Sequence, residues 1–277
     1  MAYDDGYGRP QMQFAFPAFT GWIKRLVILN AAVFFAIWIV GFASPAAERW
    51  VMDWLALNPD TWRAGFPAVW QFVTYGFLHS QVSLSHLVFN MLVLWFFGSM
   101  VQDAVGDRRL LAHYLIAVAV GGALHLVYAL LTGQSGPVIG ASGGASMLLV
   151  SAAVLRPNAT VIFFIFPVKL WVIAAISVGF DAFAFLNEFK GIQDGIAHSV
   201  HLAGAGYGYL ATKRRWLWKD PLAIVERKRA VAQMQRQMSD DARMDQLMQK
   251  ISREGMPSLT RSERAFLQKQ SERKRSG

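Results

Sequence analysis

The chain has 277 residues, of which 54% are hydrophobic and only 16% are charged, and it contains no cysteine. Soluble domains carry about 25% charged residues, so this composition disfavours an ordinary soluble enzyme, and the apolar content excludes disorder over most of the chain. The missing cysteine excludes disulfides, thiolate zinc sites and thiol catalysis.

The net charge of +9 is unevenly distributed along the chain. Residues 1–212 hold 10 basic and 10 acidic residues, whereas residues 213–277 hold 17 basic and 8 acidic ones. A basic tail after a hydrophobic body is more typical of contact with anionic lipid, or of retention on the cytoplasmic side, than of nucleic-acid binding. No nucleic-acid-binding motif is apparent in the sequence, so we expect no nucleic-acid partner.

Six stretches are apolar enough to form transmembrane helices, each of which needs about 20 mostly apolar residues. They cover residues 22–43, 82–101, 109–131, 138–156, 167–187 and 195–212. The sequence therefore predicts an all-α polytopic membrane protein with three parts. These are an N-terminal cytoplasmic segment (1–20), a six-transmembrane-helix bundle (21–212) and a basic, helical cytoplasmic tail (213–277).

Basic residues determine the predicted orientation of the spans, because loops rich in Lys and Arg stay in the cytoplasm. With both termini in the cytoplasm, the outer segments hold Arg49, Arg63 and Lys190, and all other basic residues lie inside. We therefore expect the N- and C-termini to be cytoplasmic. Because no transit peptide is apparent, the sequence favours a bacterial inner membrane.

Four polar side chains fall in one layer of the predicted bundle, in the outer half of the bilayer. With a rise of about 1.5 Å per residue, Ser142 and His86 lie roughly 6 Å inside their spans, His201 roughly 9 Å and Asn90 roughly 12 Å. Polar side chains are costly in a membrane, where a charged Arg, Lys or Asp costs about 2.5–3.5 kcal/mol, and these four therefore require a reason. His86 and Asn90 are spaced i, i+4, so they share one helix face.

Glycines near two of these residues favour close packing of spans 4 and 6. A pair of glycines brackets Ser142, and Gly204 and Gly208 share a face with His201. Small residues at this spacing let two helix backbones approach closely in a membrane. Packing of span 4 on span 6 would therefore bring Ser142 to His201.

These residue types fit acyl transfer. A serine hydroxyl needs a neighbouring base, a role that histidine fills near neutral pH, and the tetrahedral intermediate needs oxyanion donors. Ser142 with His201 supplies the nucleophile and the base, and His86 and Asn90 supply donors. No carboxylate is evident at this depth to orient His201, and Asp181 is expected to be structural, so we predict a dyad and not a triad.

Other interpretations of the same residues stay open. Ser142 alone fits a helix N-cap, and His201 alone fits a packed, hydrogen-bonded histidine. Histidines 79, 86, 198 and 201 also suit a metal site, although no H-E-x-x-H motif is present and a zinc protease is disfavoured. The aromatic loop between spans 1 and 2 favours an anchoring belt at the lipid–water interface over a role in shaping a site.

In order and spacing, these motifs resemble the rhomboid intramembrane serine proteases. The resemblance covers about residues 20–212 and is carried by Phe77-Leu78-His79, His86 to Met91, Phe97-Gly98, Gly106 to Tyr114, Gly140 to Gly143, Arg156 to Asn158, Phe166 to Lys169 and His198 to Gly204. It implies a six-helix fold. It also implies cleavage of membrane-anchored substrates near the outer face of the bilayer, without a cofactor or metal. In it Ser142 would be the nucleophile and His201 the general base, with His86 and Asn90 at the oxyanion.

Three positions depart from the family pattern. Gln71 follows Trp70 where the family usually has arginine. The family often has glutamate before the glycine that follows span 2, where this sequence reads Val101-Gln102-Asp103. Ser146 occupies the position, four residues after the nucleophile, of a ring that often stacks on the catalytic histidine. Tyr207 is one ring that the sequence offers in its place.

The sequence therefore predicts an intramembrane serine endopeptidase that acts on transmembrane protein substrates. The first alternative is a catalytically silent rhomboid-like protein that binds membrane clients, and the second is a small transporter or channel. In the tail, a helix over 221–253 ends at Gly255 and Pro257, and Thr260 with Glu263 fits a capping box for a second helix. For this tail, a solvated appendage with no ligand and the binding of lipid, a partner or a second copy all stay open.

Overall fold

The structure is a computed structural model that describes residues 16–163, 166–192 and 194–275. It divides into two compact units, and the boundary in the sequence lies between Asp220 and Pro221. The domain boundary predicted at 212/213 lies close to this point, inside the first unit. Most of the predicted N-terminal segment lies outside the described residues.

The first unit is built almost entirely from helices. In chain order they are α1 (Gly21–Ala43), α2 (Pro45–Leu55), α3 (Pro59–Arg63), α4 (Gln71–Thr74), α5 (Leu84–Val105), α6 (Asp107–Thr132), α7 (Ser142–Leu155), α8 (Leu170–Glu188) and α9 (His198–Lys213). Short 3-10 helices cover Tyr75–Phe77 and Trp216–Trp218. Between α7 and α8, β1 (Thr160–Phe163) pairs antiparallel with β2 (Phe166–Lys169), a hairpin that the span pattern did not predict.

Each of the six predicted spans coincides with one helix, namely α1 and α5 to α9. Among the described residues, α1, α5, α6 and α8 are long and apolar enough to cross a membrane. Helix α7 is a shorter apolar helix of 14 residues, and α9 has 16. The predicted all-α membrane bundle is confirmed, whereas the number of six membrane crossings stays a prediction.

Helix α7 lies at the centre of the bundle and packs against α9 through glycine. A Cβ added at Gly204 would overlap the carbonyl oxygen of Gly143, and one at Gly208 would lie 2.6 Å from the carbonyl oxygen of Met147. Only glycine lets the two backbones approach this closely. The spacing of the glycines along both helices predicts this packing of span 4 on span 6.

The aromatic side chains of the first loop form a cluster of their own. Trp54 lies at its centre, with ring centroids 6.2 Å from Trp50, 6.1 Å from Phe66 and 4.8 Å from Trp70. Trp50, Trp54 and Phe66 are exposed, an arrangement typical of aromatic residues at a lipid–water interface.

Gln71 holds the first loop together at the position where the resemblance led us to expect arginine. Its Oε1 accepts a hydrogen bond from the backbone N–H of Asn58 at 3.2 Å, and its Nε2 donates to the carbonyl oxygens of Asp53 and Trp54, each at 3.3 Å. The side chain is buried, and both ends of its amide have partners. A neutral amide therefore organises this loop from within.

Gln102 satisfies the first turn of α1 where the resemblance led us to expect glutamate. Its Oε1 accepts from the backbone N–H of Ile23 at 3.1 Å, and its Nε2 donates to the carbonyl oxygen of Thr20 at 3.3 Å. The first N–H groups of a helix lack partners within it, so this side chain from α5 fixes the start of α1.

The second unit is a pair of helices, α10 (Pro221–Glu254) and α11 (Arg261–Arg275), joined through a 3-10 helix at Met256–Ser258. The expected capping box is present, because Thr260 N–H donates to Glu263 Oε2 at 2.7 Å and Glu263 N–H donates to Thr260 Oγ1 at 3.3 Å. The Thr260 backbone N–H and the Lys250 ammonium hold the pKa of Glu263 below its usual range.

Candidate active site

Ser142 is the first residue of α7 and is half-buried. The loop before it is held by the first loop of the chain through two backbone contacts. Leu57 and Val138 exchange hydrogen bonds at 3.1 and 2.9 Å, and Gly140 N–H donates to the carbonyl oxygen of Tyr75 at 3.0 Å. The aromatic first loop therefore also shapes the site, in addition to the anchoring that its composition favours.

Gly140 makes room for two of the predicted site residues. Its φ of +128° lies in a region that side chains rarely adopt, and a Cβ there would lie 2.9 Å from His86 Nε2 and 3.6 Å from Ser142 Oγ. Only glycine fits this position. The side chains of His86 and Ser142 therefore face the same small space.

His86 presents Nε2 to this space because its other ring nitrogen is engaged. The backbone N–H of Ser80 donates to His86 Nδ1 at 3.4 Å, so Nδ1 is the acceptor and the neutral ring carries its proton on Nε2. Asn90 lies on the same helix face and is largely buried, and its Nδ2 donates to the carbonyl oxygen of His86 at 2.8 Å. This bond uses one of the two N–H groups of the Asn90 amide.

His201 lies in the first turn of α9, one turn before the glycine contact between α7 and α9. Since Gly143 follows Ser142 directly and touches Gly204, the close approach of the two backbones brings the segments that carry Ser142 and His201 together. His86 also lies within electrostatic range of His201. The four predicted site residues thus belong to one end of the bundle, the end at which α7 and α9 begin, here called the site end.

A carboxylate does contact His201, so the prediction that none lies at this depth is wrong. Asp181 on α8 is largely buried, and its Oδ1 accepts a hydrogen bond from His201 Nδ1 at 2.8 Å. Helix α8 runs toward the site end and α9 starts there, so Asp181 and His201 both lie within about two turns of the loop that joins the helices. The similar distance of the two residues from that loop is the sequence signal from which the contact could have been suspected.

His198 joins the same cluster and binds carboxylates through both ring nitrogens. Its Nδ1 contacts Asp181 Oδ1 at 2.7 Å, and its Nε2 contacts Asp194 Oδ2 at 3.1 Å. The side chain of His198 is buried, whereas Asp194 lies in the loop between α8 and α9 and is half exposed. One oxygen of Asp181 therefore accepts hydrogen bonds from two imidazoles.

Among the described residues, Asp181, His198 and His201 form the group whose spacing could accommodate a metal ion. Their ligand atoms lie within 4.8 Å of one another. The Nδ1 atoms of both histidines already face the Asp181 carboxylate at hydrogen-bond distance. Hydrogen bonding therefore accounts for this cluster without a metal. The other two histidines of the metal interpretation, His79 and His86, form a separate pair with ring centroids 5.2 Å apart.

Tyr207 does not replace the ring missing at Ser146. Its hydroxyl bonds His113 Nδ1, farther along α9 from the site end, and His113 Nε2 contacts the carbonyl oxygen of Lys219 at 3.3 Å. His113 is thus a packed, hydrogen-bonded histidine. His201 is held by the carboxylate of Asp181 and not by Tyr207.

The fold and this cluster define a helical membrane bundle with serine and histidine at one end, and comparison with known proteins agrees. The Rhomboid domain family matches residues 67–216. The chain is 28% identical to presenilin-associated rhomboid-like protein A, mitochondrial, of Danio rerio over 207 residues, which are 71% of this chain and 49% of that protein. It is 26% identical to rhomboid protein 1, mitochondrial, of Saccharomyces cerevisiae over 215 residues, which are 74% of this chain and 58% of that protein.

The chain belongs to the rhomboid family. A third relative, RHOMBOID-like protein 12, mitochondrial, of Arabidopsis thaliana, is 28% identical over 238 residues, which are 74% of this chain and 66% of that protein. The chain spans about half the length of the first of these relatives. All three are named as mitochondrial proteins, which contradicts the expectation of a bacterial inner membrane.

Proposed function

We propose that this protein is an intramembrane serine endopeptidase that cleaves membrane-anchored proteins, with Ser142 as nucleophile and His201 as general base. The observation that carries the proposal is the hydrogen bond from His201 Nδ1 to Asp181 Oδ1, at the end of the bundle where α7 begins with Ser142. A histidine oriented by a carboxylate, together with a serine at a helix N-terminus, supplies the groups of a Ser–His–Asp site for acyl transfer.

The carboxylate determines which nitrogen of His201 acts. Because Nδ1–H donates to Asp181, the neutral ring has its free electron pair on Nε2. Nε2 removes the proton from the Ser142 hydroxyl as its oxygen attacks the scissile carbonyl carbon, and later returns that proton to the leaving amine. Asp181 stabilises the imidazolium formed in between, which changes the proposed dyad into a triad.

The oxyanion of the tetrahedral intermediate has donors on two sides. The first N–H groups of α7 have no acceptor within their own helix, and they surround Ser142. His86 carries its proton on Nε2, the atom that faces the space beside Ser142 and Gly140. Asn90 keeps one amide N–H for the same purpose. These donors are fixed before the reaction, which is where electrostatic stabilisation is most effective.

The substrate is expected to be a membrane-anchored segment that unwinds at the site end. A hydrogen-bonded helix hides its carbonyl groups from attack, so residues that break the substrate helix near this end favour cleavage. The side chain of His201 is 20% exposed, so the proposed base remains reachable from outside the bundle.

The proposal is tested with the full chain reconstituted in liposomes together with a single-span reporter that carries glycine and proline near one membrane face. We expect the wild type and Ser146→Ala, the matched control one turn farther along α7, to cleave the reporter. Ser142→Ala should lose at least about a thousandfold in rate. A fluorophosphonate probe should label the wild type, and neither Ser142→Ala nor His201→Ala.

Equal cleavage by the wild type and Ser142→Ala would overturn the proposal. A wild type that neither cleaves nor reacts with the probe, yet retains the reporter on purification, would instead identify a silent membrane-client binding protein.

A further inference from the structure

We infer that His198 and Asp194 form a charged clasp that positions the Asp181 carboxylate against His201, and that the clasp opens when His198 loses its proton. This inference rests on the proposed function, since it concerns the group that orients the proposed base. His198 and Asp194 are positioning residues, because they reach His201 only through Asp181.

The geometry of the clasp requires a protonated imidazole. His198 Nδ1 lies 2.7 Å from Asp181 Oδ1, and Nε2 lies 3.2 and 3.1 Å from the two carboxylate oxygens of Asp194. Ionised carboxylates only accept hydrogen bonds, so both ring nitrogens of His198 must donate. A neutral imidazole has one N–H and makes only one of these two contacts.

Asp194 is ionised in the range where the enzyme would act. It lies in the loop between α8 and α9, outside the membrane helices. Partial burial opposes its ionisation, but the backbone N–H of Ile196 at 3.0 Å and the ring of His198 hold the pKa of Asp194 below its usual range. The exposed loop therefore places a fixed negative charge beside the buried ring of His198.

The surroundings of His198 favour its positive charge. Asp181 and Glu188 face it from α8, Asp194 faces it from the loop, and the fourth ionisable neighbour is His201 on its own helix. Three carboxylates against one imidazolium leave the cluster negative, so an additional positive charge on His201 is tolerated when it accepts the serine proton. Loss of the proton on His198 would remove the charge that balances Asp181.

The clasp predicts a specific dependence of reaction rate on pH. The rate should fall at high pH as His198 becomes neutral, because one of its two hydrogen bonds must then break and Asp181 is no longer fixed. The pH profile therefore has an alkaline limb, and the inference assigns this limb to His198.

The test measures the rate of fluorophosphonate labelling of Ser142 in the reconstituted full chain across the pH range. The probe needs no substrate and reports directly on activation of the serine. His198→Gln keeps one amide donor for Asp181 and loses the charge, so we expect labelling to slow by about tenfold and the alkaline limb to disappear. Asp194→Asn should move the alkaline limb to lower pH, because it removes a negative charge that stabilises protonated His198.

Two variants serve as controls. Asp194→Glu keeps the loop charge and should retain the alkaline limb near its wild-type position. His113→Gln removes a buried histidine far from Asp181 and should leave the whole profile unchanged. Asp194 is half exposed, so its variants keep the inference testable if His198→Gln fails to fold.

An alkaline limb that stays at its wild-type position in Asp194→Asn would overturn the inference, and the proposed function would stand as long as the wild type is labelled. Loss of the limb in Asp194→Glu as well would mean that loop shape and not charge is what matters, which also contradicts it. A wild type that is not labelled at any pH would overturn both the inference and the proposed function.

Discussion

Two serine–histidine sets can be compared within the part of the bundle that the structure describes, and only the set at the site end has the surroundings that the proposed function requires. Ser199 Oγ and His125 Nδ1 lie 2.8 Å apart between α9 and α6, and both residues are buried. Ser142 lies at the start of α7, at the same end of the bundle as His201, whose Nδ1 lies 2.8 Å from Asp181 Oδ1. Under the proposed function, a hydrogen bond between serine and histidine is therefore a poor indicator of catalysis in this fold.

The difference between the sets lies in what surrounds the pair. Like Ser142, Ser199 lies in the first turn of its helix, yet it is buried against α6. Among the described residues, no carboxylate is seen to bond His125. Ser142 faces a space kept open by Gly140 and bordered by His86, and His201 is both oriented by Asp181 and partly exposed. Orientation of the proposed base, room beside the serine and free donors distinguish the two sets.

The largest expected effect comes from removing the carboxylate. Asp181→Asn keeps the size of the side chain but removes the charge that orients and stabilises His201, so reporter cleavage should fall by at least about a hundredfold. The measurement is the cleavage rate in liposomes at the pH of maximal activity. His113→Gln, which alters a histidine bonded to a tyrosine, is the matched control and should cleave at the wild-type rate. Wild-type activity in Asp181→Asn would remove the distinction between the two serine–histidine sets.

An intermediate effect is expected from separating α7 and α9. The methyl group of Gly204→Ala would meet the carbonyl oxygen of Gly143 and push the Ser142 and His201 segments apart. We expect labelling of Ser142 to slow by about tenfold and the unfolding free energy to fall by about 1–3 kcal/mol. Gly206 has open space where its Cβ would lie, so Gly206→Ala should change neither quantity measurably. Equal behaviour of the two variants would show that close helix approach is not what brings the site together.

The smallest effect on activity is expected at the second set. Ser199→Ala removes the hydroxyl that bonds His125 and leaves a buried ring nitrogen unpaired, which should lower the unfolding free energy by about 1–3 kcal/mol. Cleavage by the folded protein should remain at the wild-type rate, because neither residue touches the reacting atoms. Thermal unfolding in detergent and the liposome assay measure the two effects separately. A loss of cleavage comparable to that of Ser142→Ala would mean that the wrong serine has been assigned.

Much of the fold could be predicted from local patterns, because the length of an apolar stretch and the spacing of its glycines can both be read within one segment of the sequence. Each predicted span coincides with a helix, and the glycines near Ser142 and His201 indicate which two helices approach closely. The hairpin of β1 and β2 was missed because a short apolar stretch beside a span carries no distinct periodicity.

The contact of Asp181 with His201 was missed for a different physical reason. Its partners lie on the next helix, and contacts between antiparallel helices depend on their rotation about their own axes, which spacing along one helix does not determine. Gln71 and Gln102 show the same limit, since each replaces an expected charged residue by bonding backbone groups that are distant in sequence. The sequence indicated which polar residues are candidates for the site. It did not indicate which residues they contact across the bundle.

The contact between Leu57 and Val138 shows that residues before the family-matched segment help to support the candidate site. The segment that matches the family starts at residue 67, so it leaves out Leu57, and with it the backbone bridge that fixes the loop before Ser142. Arg63, also outside that segment, donates to the carbonyl oxygens of Ala129 and Gln134 at 2.6 Å each. A fragment limited to the matched residues would thus keep every proposed catalytic side chain. It would nevertheless lose the Leu57–Val138 bridge that fixes the loop before Ser142.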